Sequence, residues 1–340
     1  MRLFPYVSPP SIGIDCGEQS LKVAALKTET SWSGKRSYRV TFLHDYAVKS
    51  NDTMVLQSTL ATVARELRAK HHGIIDATMS IPESQSYVLT IPEGAGDAQH
   101  IADRIAGEVP LPITDLYYDS QVVPPYRVIG AAPKEYIDRT ITMTETAGMT
   151  IAALDFEGLA TIRAIAYLVP KETRGAWGVI DFGATRTQCM IAEGETPLHT
   201  LRLPLSGEGL TTKIASTLHL APEQAERTKR ECGVDPHACT GSLKEILVPE
   251  YTLMAKRVHE MLALAHNQSP SPVSTFVLVG GGAHMPGLKT FLEAQLQCAI
   301  IVPDPSTTFL NDAAHDAPAA HLGFMTALGL ALRSATASLI

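Results

Sequence analysis

What the sequence has little of narrows the problem first. Basic charge is not in excess: 35 acidic residues against 28 Lys and Arg give a formal charge of −7. A nucleic-acid partner needs a basic face to neutralise phosphates, so none is expected. Long apolar runs are missing as well. The longest near the end, residues 323–332, is far short of the ~20 residues a membrane span needs. The opening Met1-Arg2-Leu3-Phe4-Pro5 leads into no apolar run with a small-residue cleavage site, so it does not read as a signal peptide. Direct membrane insertion is therefore not expected. The five cysteines are scattered and odd in number, which argues against a disulfide framework and for a reducing compartment. Cys232 and Cys239, with His237 between them, lack zinc-site spacing and read as incidental thiols in a loop. The twelve histidines form no H-E-x-x-H or comparable cluster.

What is present is an ordinary globular balance. Of 340 residues, 45% are hydrophobic and 19% charged, enough for two domains or one bilobed one. Strand-like and helix-like periodicities alternate, the mark of an α/β architecture. Residues 11–15 and 21–26 read as paired strands. Leu56, Leu60, Val63 and Leu67 then repeat at helical spacing, with Asp52 or Thr53 as cap. From residue 77 the texture changes to short strands (77–82, 86–91), a helix with Ile101 and Ile105, a hairpin (116–123, 127–131) and a helix stopped by Gly148. A strand (150–154) and a helix (157–168) follow. The second half opens on the apolar strand 177–182. Its longest helix carries Leu247, Tyr251, Met254, Val258, Met261 and Leu262 on one stripe. Residues 275–279 form a continuous apolar strand, 311–320 a polar loop, and a helix closes the chain. The two halves share an opening strand–turn pattern but no readable sequence repeat.

Three glycine turns carry the chemistry. Asp15-Cys16-Gly17-Glu18-Gln19-Ser20-Leu21-Lys22 lies between two strands. There a glycine lets the backbone approach a phosphate, Asp15 can order a hydrated Mg²⁺, and Lys22 can offset phosphate charge. Taken alone, such a D-x-G turn is also a common hairpin. Asp181-Phe182-Gly183-Ala184-Thr185-Arg186-Thr187 repeats the device in the second half. The pair could clamp a polyphosphate, with a metal held by Asp15 and Asp181. Gly280-Gly281-Gly282-Ala283 follows an apolar strand and precedes a helix, where its amides could meet a ligand or simply make a turn. It has neither the G-x-G-x-x-G spacing of a dinucleotide fold nor the Lys-Ser/Thr pair of a P-loop.

In that order the three turns resemble the two phosphate loops and the adenosine loop of the actin, sugar-kinase and heat-shock-chaperone ATPase superfamily. Within it the sequence is similar to the PilM family of type IV pilus assembly proteins. The likeness runs through Gly13-Ile14-Asp15, residues 105–112 with Glu108 and Pro110, Ala147-Gly148-Met149, and residues 179–211 with Gly209-Leu210-Thr211. It continues through Glu226-Arg227-Thr228-Lys229, residues 279–288 and Gly329-Leu330-Ala331-Leu332-Arg333. The resemblance implies an α/β, actin-like bilobed fold with ribonuclease H-like lobes and an α+β subdomain inserted in the first lobe. The implied division is a first lobe over 8–76, the insert over 77–154, a return and linking helix over 155–176, a second lobe over 177–321, and a closing helix over 322–340 packing back on the first lobe.

The same resemblance implies ATP and Mg²⁺ as cofactors. Their contacts would be Asp15, Gly17, Ser20, Lys22, Asp181, Gly183, Thr185, Thr187, Gly280, Gly281 and Gly282, with Glu226 and Lys229 on the ribose and base. Without a ligand, Glu226 and Lys229 read as an exposed i,i+3 ion pair. Glu157 falls where chaperone relatives orient the attacking water; it also suits a solvated helix start. Glu18 and Gln19 stand where similar proteins carry small hydroxyls, and Glu208 adds a second negative charge, which lowers the expected phosphate affinity. The implied function is a cytoplasmic scaffold, at most a slow ATPase, peripheral to the inner membrane. It would bind the cytoplasmic N-terminal tail of a PilN-like membrane protein, with other pilus inner-membrane components and motor ATPases as further partners. The alternatives are a filament-forming division protein like FtsA and a small-molecule kinase of the same superfamily.

Overall fold

The computed structural model describes residues 10–17, 20–31, 33–48, 53–71, 75–95, 97–169, 175–266, 272–311 and 322–337. Glu18, Gln19, the candidate cap Asp52 and most of the polar 311–320 loop lie outside the described residues. The chain divides into two compact units.

The first unit comprises Met1–Ala164, Ser306–Asp316 and Thr326–Ile340. Its six-stranded sheet has the order β14-β3-β2-β1-β4-β8. β1 (Ser11–Cys16), β2 (Ser20–Thr30) and β3 (Arg36–Ala47) run antiparallel, while β4 (Asp76–Ile81) and β8 (Thr150–Phe156) continue parallel to β1, and β14 (Leu310–Asn311) edges β3. Ile12, Ile14, Leu21 and Val23 bury against Leu60, Val63 and Leu67 of α1 (Thr53–His71). Those three α1 residues recur at helical spacing, so one stripe of the helix covers the alternating strand face. The insert was expected to open at residue 77, yet β4 pairs with β1 and β8 inside the large sheet. The small sheet, ordered β5-β7-β6, consists of Tyr87–Pro92, Tyr126–Pro133 and Leu116–Val123. Ile101 and Ile105 of α2 (Ala98–Glu108) form a separate core on it with Ile91, Leu116 and Ile129.

Close backbone approach decides where the helices sit. α3 spans Lys134–Thr146, α4 spans Glu157–Leu168, and the closing helix α9 spans Met325–Ala337. A Cβ on Gly13 would overlap the Ala327 carbonyl oxygen, and one on Gly329 would overlap that of Ala160. Glycine at these two points lets α9 lie directly on β1 and α4. Asp155, near the end of β8, ties that strand to both helices. Its carboxylate accepts from Arg163 Nη1 of α4 at 2.7 Å and from Arg333 Nη1 of α9 at 3.0 Å, and it is buried.

The second unit comprises Ile165–Pro305 and Ala317–Met325. Its five-stranded sheet, β11-β10-β9-β12-β13, repeats the plan of three antiparallel strands followed by parallel ones. These strands are β9 (Ala176–Phe182), β10 (Thr187–Glu193), β11 (Thr196–Leu203), β12 (Thr275–Val279) and β13 (Ala299–Ile301). The repeat is one of topology; the two halves do not share it as sequence. Helices α5 (Gly207–Leu218), α6 (Pro222–Cys232), α7 (Lys244–His266) and α8 (Leu288–Leu296) accompany the sheet. The apolar stripe of α7 is buried, including Leu247, Tyr251, Met254 and Val258. The expectation of incidental thiols at 232 and 239 is corrected: Cys232 and Cys239 form a disulfide. Gly233, with φ +52°, turns the chain sharply after α6. The two Cα atoms come within 5.4 Å of each other, inside the span a disulfide requires. Sequence separation alone carries no sign of that turn.

Candidate nucleotide site

In the first unit, β1 ends at Asp15-Cys16 and the chain returns at Ser20, which sets Asp15 opposite Lys22 across the hairpin. Gly17 is tightly enclosed; a Cβ there would sit 3.0 Å from the Ser20 carbonyl oxygen. Lys22 Nζ donates to Ser20 Oγ at 2.8 Å, so the two expected phosphate contacts are already joined. Asp15 is nearly buried, and Ser80 Oγ donates to its Oδ1 at 3.2 Å. Ser80 also accepts from the Cys16 amide at 2.8 Å. This serine went unread in the sequence. The signal available was a hydroxyl near the C-terminal end of a strand parallel to β1, which only sheet topology converts into a neighbour of Asp15.

Glu157 opens α4 and is 4% exposed, so the solvated helix-start alternative is corrected. Its Oε2 accepts from the Glu83 amide at 3.0 Å. Burial, with the Asp15 and Glu157 carboxylates adding to it, pushes the Cys16 thiol far above the usual thiol range and keeps it protonated. Asp15, Cys16, Ser80 and Glu157 thus form one cluster at the ends of β1, β4 and β8.

In the second unit, the turn from Asp181 to Thr187 is closed on itself and braced from outside. The Gly183 amide donates to the Arg186 carbonyl at 2.9 Å. The first two amides of α5, at Gly207 and Glu208, donate to the carbonyls of Gly183 (3.0 Å) and Ala184 (2.8 Å). Ser206 Oγ accepts from the Gly209 amide at 3.1 Å. The positive end of α5 is therefore spent on holding the turn. Thr185 remains partly exposed on that turn, whereas Thr187 is buried in β10 and its hydroxyl has no hydrogen-bond partner among the described residues. Beside the turn lies a cavity of about 300 Å³ lined by Thr185, Arg186, Arg202, Ser206, Lys213 and Glu250. Lys213 pairs with Glu250 there, and Arg186 and Arg202 leave the lining net positive, which favours an anion.

The third turn is shaped by Asp181. Gly280 has φ +84°, and a Cβ on it would come within 2.5 Å of Asp181 Oδ1. Only glycine fits both the backbone and the contact. The Gly280 amide donates to the Leu322 carbonyl at 3.1 Å and that of Gly282 to the Phe182 carbonyl at 2.9 Å. Gly281 has open space where a side chain would stand. The helix that follows, α8, begins at Leu288, so residues 283–287 separate it from the glycine turn.

Glu226 and Lys229 are no exposed ion pair. Lys229 is 5% exposed, and its ammonium reaches three acceptors: Glu226 Oε2 at 2.6 Å, the Gly207 carbonyl at 2.7 Å and Thr211 Oγ1 at 2.7 Å. Thr211 Oγ1 donates to Glu226 Oε2 at 2.5 Å, and Arg230 Nε to Glu226 Oε1 at 2.7 Å. Burial would raise the Glu226 pKa, but the hydrogen bonds from Lys229, Thr211 and Arg230 outweigh it and hold the carboxyl at about 2. The network joins α6 to the first turn of α5, and through it to the turn from Asp181 to Thr187.

Residues 13–335 match the family model described as type IV pilus assembly protein PilM. The chain belongs to that family. A solved PilM-PilN type IV pilus biogenesis complex is similar at TM-score 0.74 and 19% identity, covering 95% of this chain and 98% of that one. MreB 5 of Spiroplasma citri bound to AMPPNP is similar at TM-score 0.57 and 11% identity, covering 97% of each chain. The fold of this PilM-family chain is therefore actin-like, as the three turns implied. Among curated proteins, cell division protein FtsA of Bacillus subtilis (strain 168) is 26% identical over 201 residues, 53% of this chain. The match spans under half, 44%, of that relative's length. Among the described residues of the PilM-family chain, no helix is long and apolar enough to cross a membrane. No group of three or more His, Cys, Asp or Glu that could hold a metal occurs among them.

Proposed function

We propose that this PilM-family chain is a nucleotide-binding scaffold at the cytoplasmic face of the inner membrane, which holds the N-terminal tail of a PilN-like membrane protein. The observation that carries the reading is the family match over residues 13–335. The similar solved complex contains PilN. A surface suited to an extended tail is present on the small sheet. Among the described residues β6 pairs with β7 alone, so its other side can pair with an added strand. Tyr117, Tyr118 and Val122 of β6 are exposed, three of the eight exposed large hydrophobic residues described.

Mg-ATP is the nucleotide we assign, consistent with the AMPPNP of the MreB 5 structure. The residues fit it: each of the first two turns opens on an aspartate, Asp15 or Asp181, and Gly280 lets the third turn approach the Asp181 carboxylate closely. Magnesium keeps most of its waters and needs few protein oxygens, so one carboxylate per turn suffices; when bound it would offset phosphate charge. In this reading Gly17, Ser20, Lys22, Gly183, Thr185 and Thr187 serve the phosphates, and Glu226, Lys229 and Gly280 to Gly282 serve the nucleoside. Glu157, its Oε2 fixed by the Glu83 amide, orients a water, and at most a slow ATPase is expected. Nucleotide acts by favouring one state of the scaffold over another.

The test is a Mg-ATP titration of the purified protein beside Asp15→Ala, followed by titration with a PilN-like tail peptide. Saturable binding lost in the variant supports the nucleotide assignment. No binding at millimolar ATP with retained peptide binding would leave an interaction module only. The 26% identity to FtsA favours one second reading, a filament-forming protein. Sedimentable polymer with Mg-ATP would establish it.

A further inference from the structure

We propose that Cys232–Cys239 is a thiol–disulfide exchange site that sets how firmly the nucleoside end of the second unit is held. Three observations meet there. Cys239 is exposed while Cys232 is buried at the C-terminus of α6, the helix carrying Glu226 and Lys229. The segment after Cys232 is seated on the turn that follows Gly280 to Gly282. The Val234 amide donates to the Pro286 carbonyl at 2.9 Å, Gly233 is closed over Met285 and Pro286, and Gly287 over Asp235. Met285 in turn donates its amide to the Gly282 carbonyl at 3.1 Å. The disulfide therefore fastens a loop that braces both elements assigned to the nucleoside.

The third observation concerns the backbone. Cys239 and Thr240 hold φ of +48° and +56°, consecutive left-handed conformations that cost non-glycine residues free energy. The bond keeps the chain in that turn; once opened, Cys239 and Thr240 can return to negative φ and carry the loop away from Pro286. The other thiols are poor competitors. Burial pushes Cys16 and Cys189 far above the usual thiol range, and Cys298 is also raised by burial and by Glu293.

The co-reactant is a dithiol. Its thiolate attacks the accessible Cys239 sulfur, the S–S bond breaks, and Cys232 leaves as a thiolate that takes up a proton. The second thiol of the reductant then displaces Cys239, so the protein gains two electrons and two protons and the dithiol becomes a disulfide. A cellular dithiol pool would keep the loop open, and oxidation would fasten it.

This inference rests on the nucleotide reading, and the experiment separates the two. The full chain is equilibrated with oxidised glutathione or with dithiothreitol, denatured and alkylated. Three labelled cysteines are expected in the oxidised form, at Cys16, Cys189 and Cys298, and five in the reduced form. Labelling of all five after oxidation overturns the site. Each form, and Cys239→Ser, is then titrated with a fluorescent ADP; the reduced form and the variant should bind at least about fivefold more weakly. Hydrogen exchange at the Val234 amide should speed up at least about tenfold on reduction. Equal affinity together with unchanged exchange overturns the proposal. If neither form binds nucleotide, the nucleotide reading fails, and the exchange result alone decides for or against the redox brace.

Discussion

Asp155→Ala is expected to destabilise the protein by about 3 kcal/mol, because it strands two guanidinium groups that a buried carboxylate had paired. Asp155 is 1% exposed and accepts from Arg163 and Arg333 as well as from the Phe156 amide at 2.9 Å. The same arginines donate onward, Arg163 to the Gly329 carbonyl at 3.1 Å and Arg333 to the Leu154 carbonyl at 3.0 Å. Removing the carboxylate thus loosens β8, α4 and α9 together. With about 2.1 cal/mol/K of unfolding entropy per residue over 340 residues, a loss of about 3 kcal/mol corresponds to a fall of about 4 °C in melting temperature. Arg333→Met takes away the more exposed partner and should cost only about 1 kcal/mol. Denaturant unfolding of the two variants checks the order; equal losses would show that the carboxylate is not the centre of the cluster.

Lys229→Met is expected to weaken nucleotide binding at least tenfold and to cost about 1–3 kcal/mol of stability. It leaves the Gly207 carbonyl and Thr211 hydroxyl without their buried donor. The variant should also change the response to acid. Glu226 has its pKa lowered from 4.5 to about 2 in the folded protein, so it contributes stability that is complete above pH 4.5 and lost as pH falls through about 2. Losing the Lys229 hydrogen bond lets that pKa rise toward its unfolded value. The acid limb of the stability curve between about pH 4.5 and 2 should therefore flatten. Unfolding titrations across that window, with nucleotide binding measured at neutral pH, test both parts. An unchanged acid limb would mean that Thr211 and Arg230 suffice to hold the carboxylate.

The closed second turn of the candidate site is the route by which a change at Lys229 would reach a nucleotide bound as proposed. Gly207 and Glu208 hold the carbonyls of Gly183 and Ala184, and Lys229 holds Gly207. A change at Lys229 is felt at the turn from Asp181 to Thr187 through two successive hydrogen bonds, with no direct contact required.

Much of this was legible in the chain. The alternating strand pairs around Asp15 and Asp181, the helical stripes of α1 and α7, and the glycine turns all depend on local periodicity and on backbone conformations that glycine tolerates. Local chemistry of that kind survives in a single sequence. The family resemblance rested on the order of the three turns, and the match over residues 13–335 bears out the family.

Other features were decided by neighbours distant in sequence. Strand 76–81 reads like the short strands after it, and only pairing with β1 and β8 assigns it to the large sheet. Ser80 becomes a partner of Asp15 because parallel strands align their ends, 65 residues apart. The burial of Glu157 and Lys229 and the closing of Cys232 onto Cys239 follow from packing that composition and spacing do not encode. Sequence by itself determined which turns carry carboxylate and glycine, since those depend on residue type and local order. Tertiary structure alone decided which of their groups are already engaged, because hydrogen bonding and burial are properties of the neighbours that folding supplies.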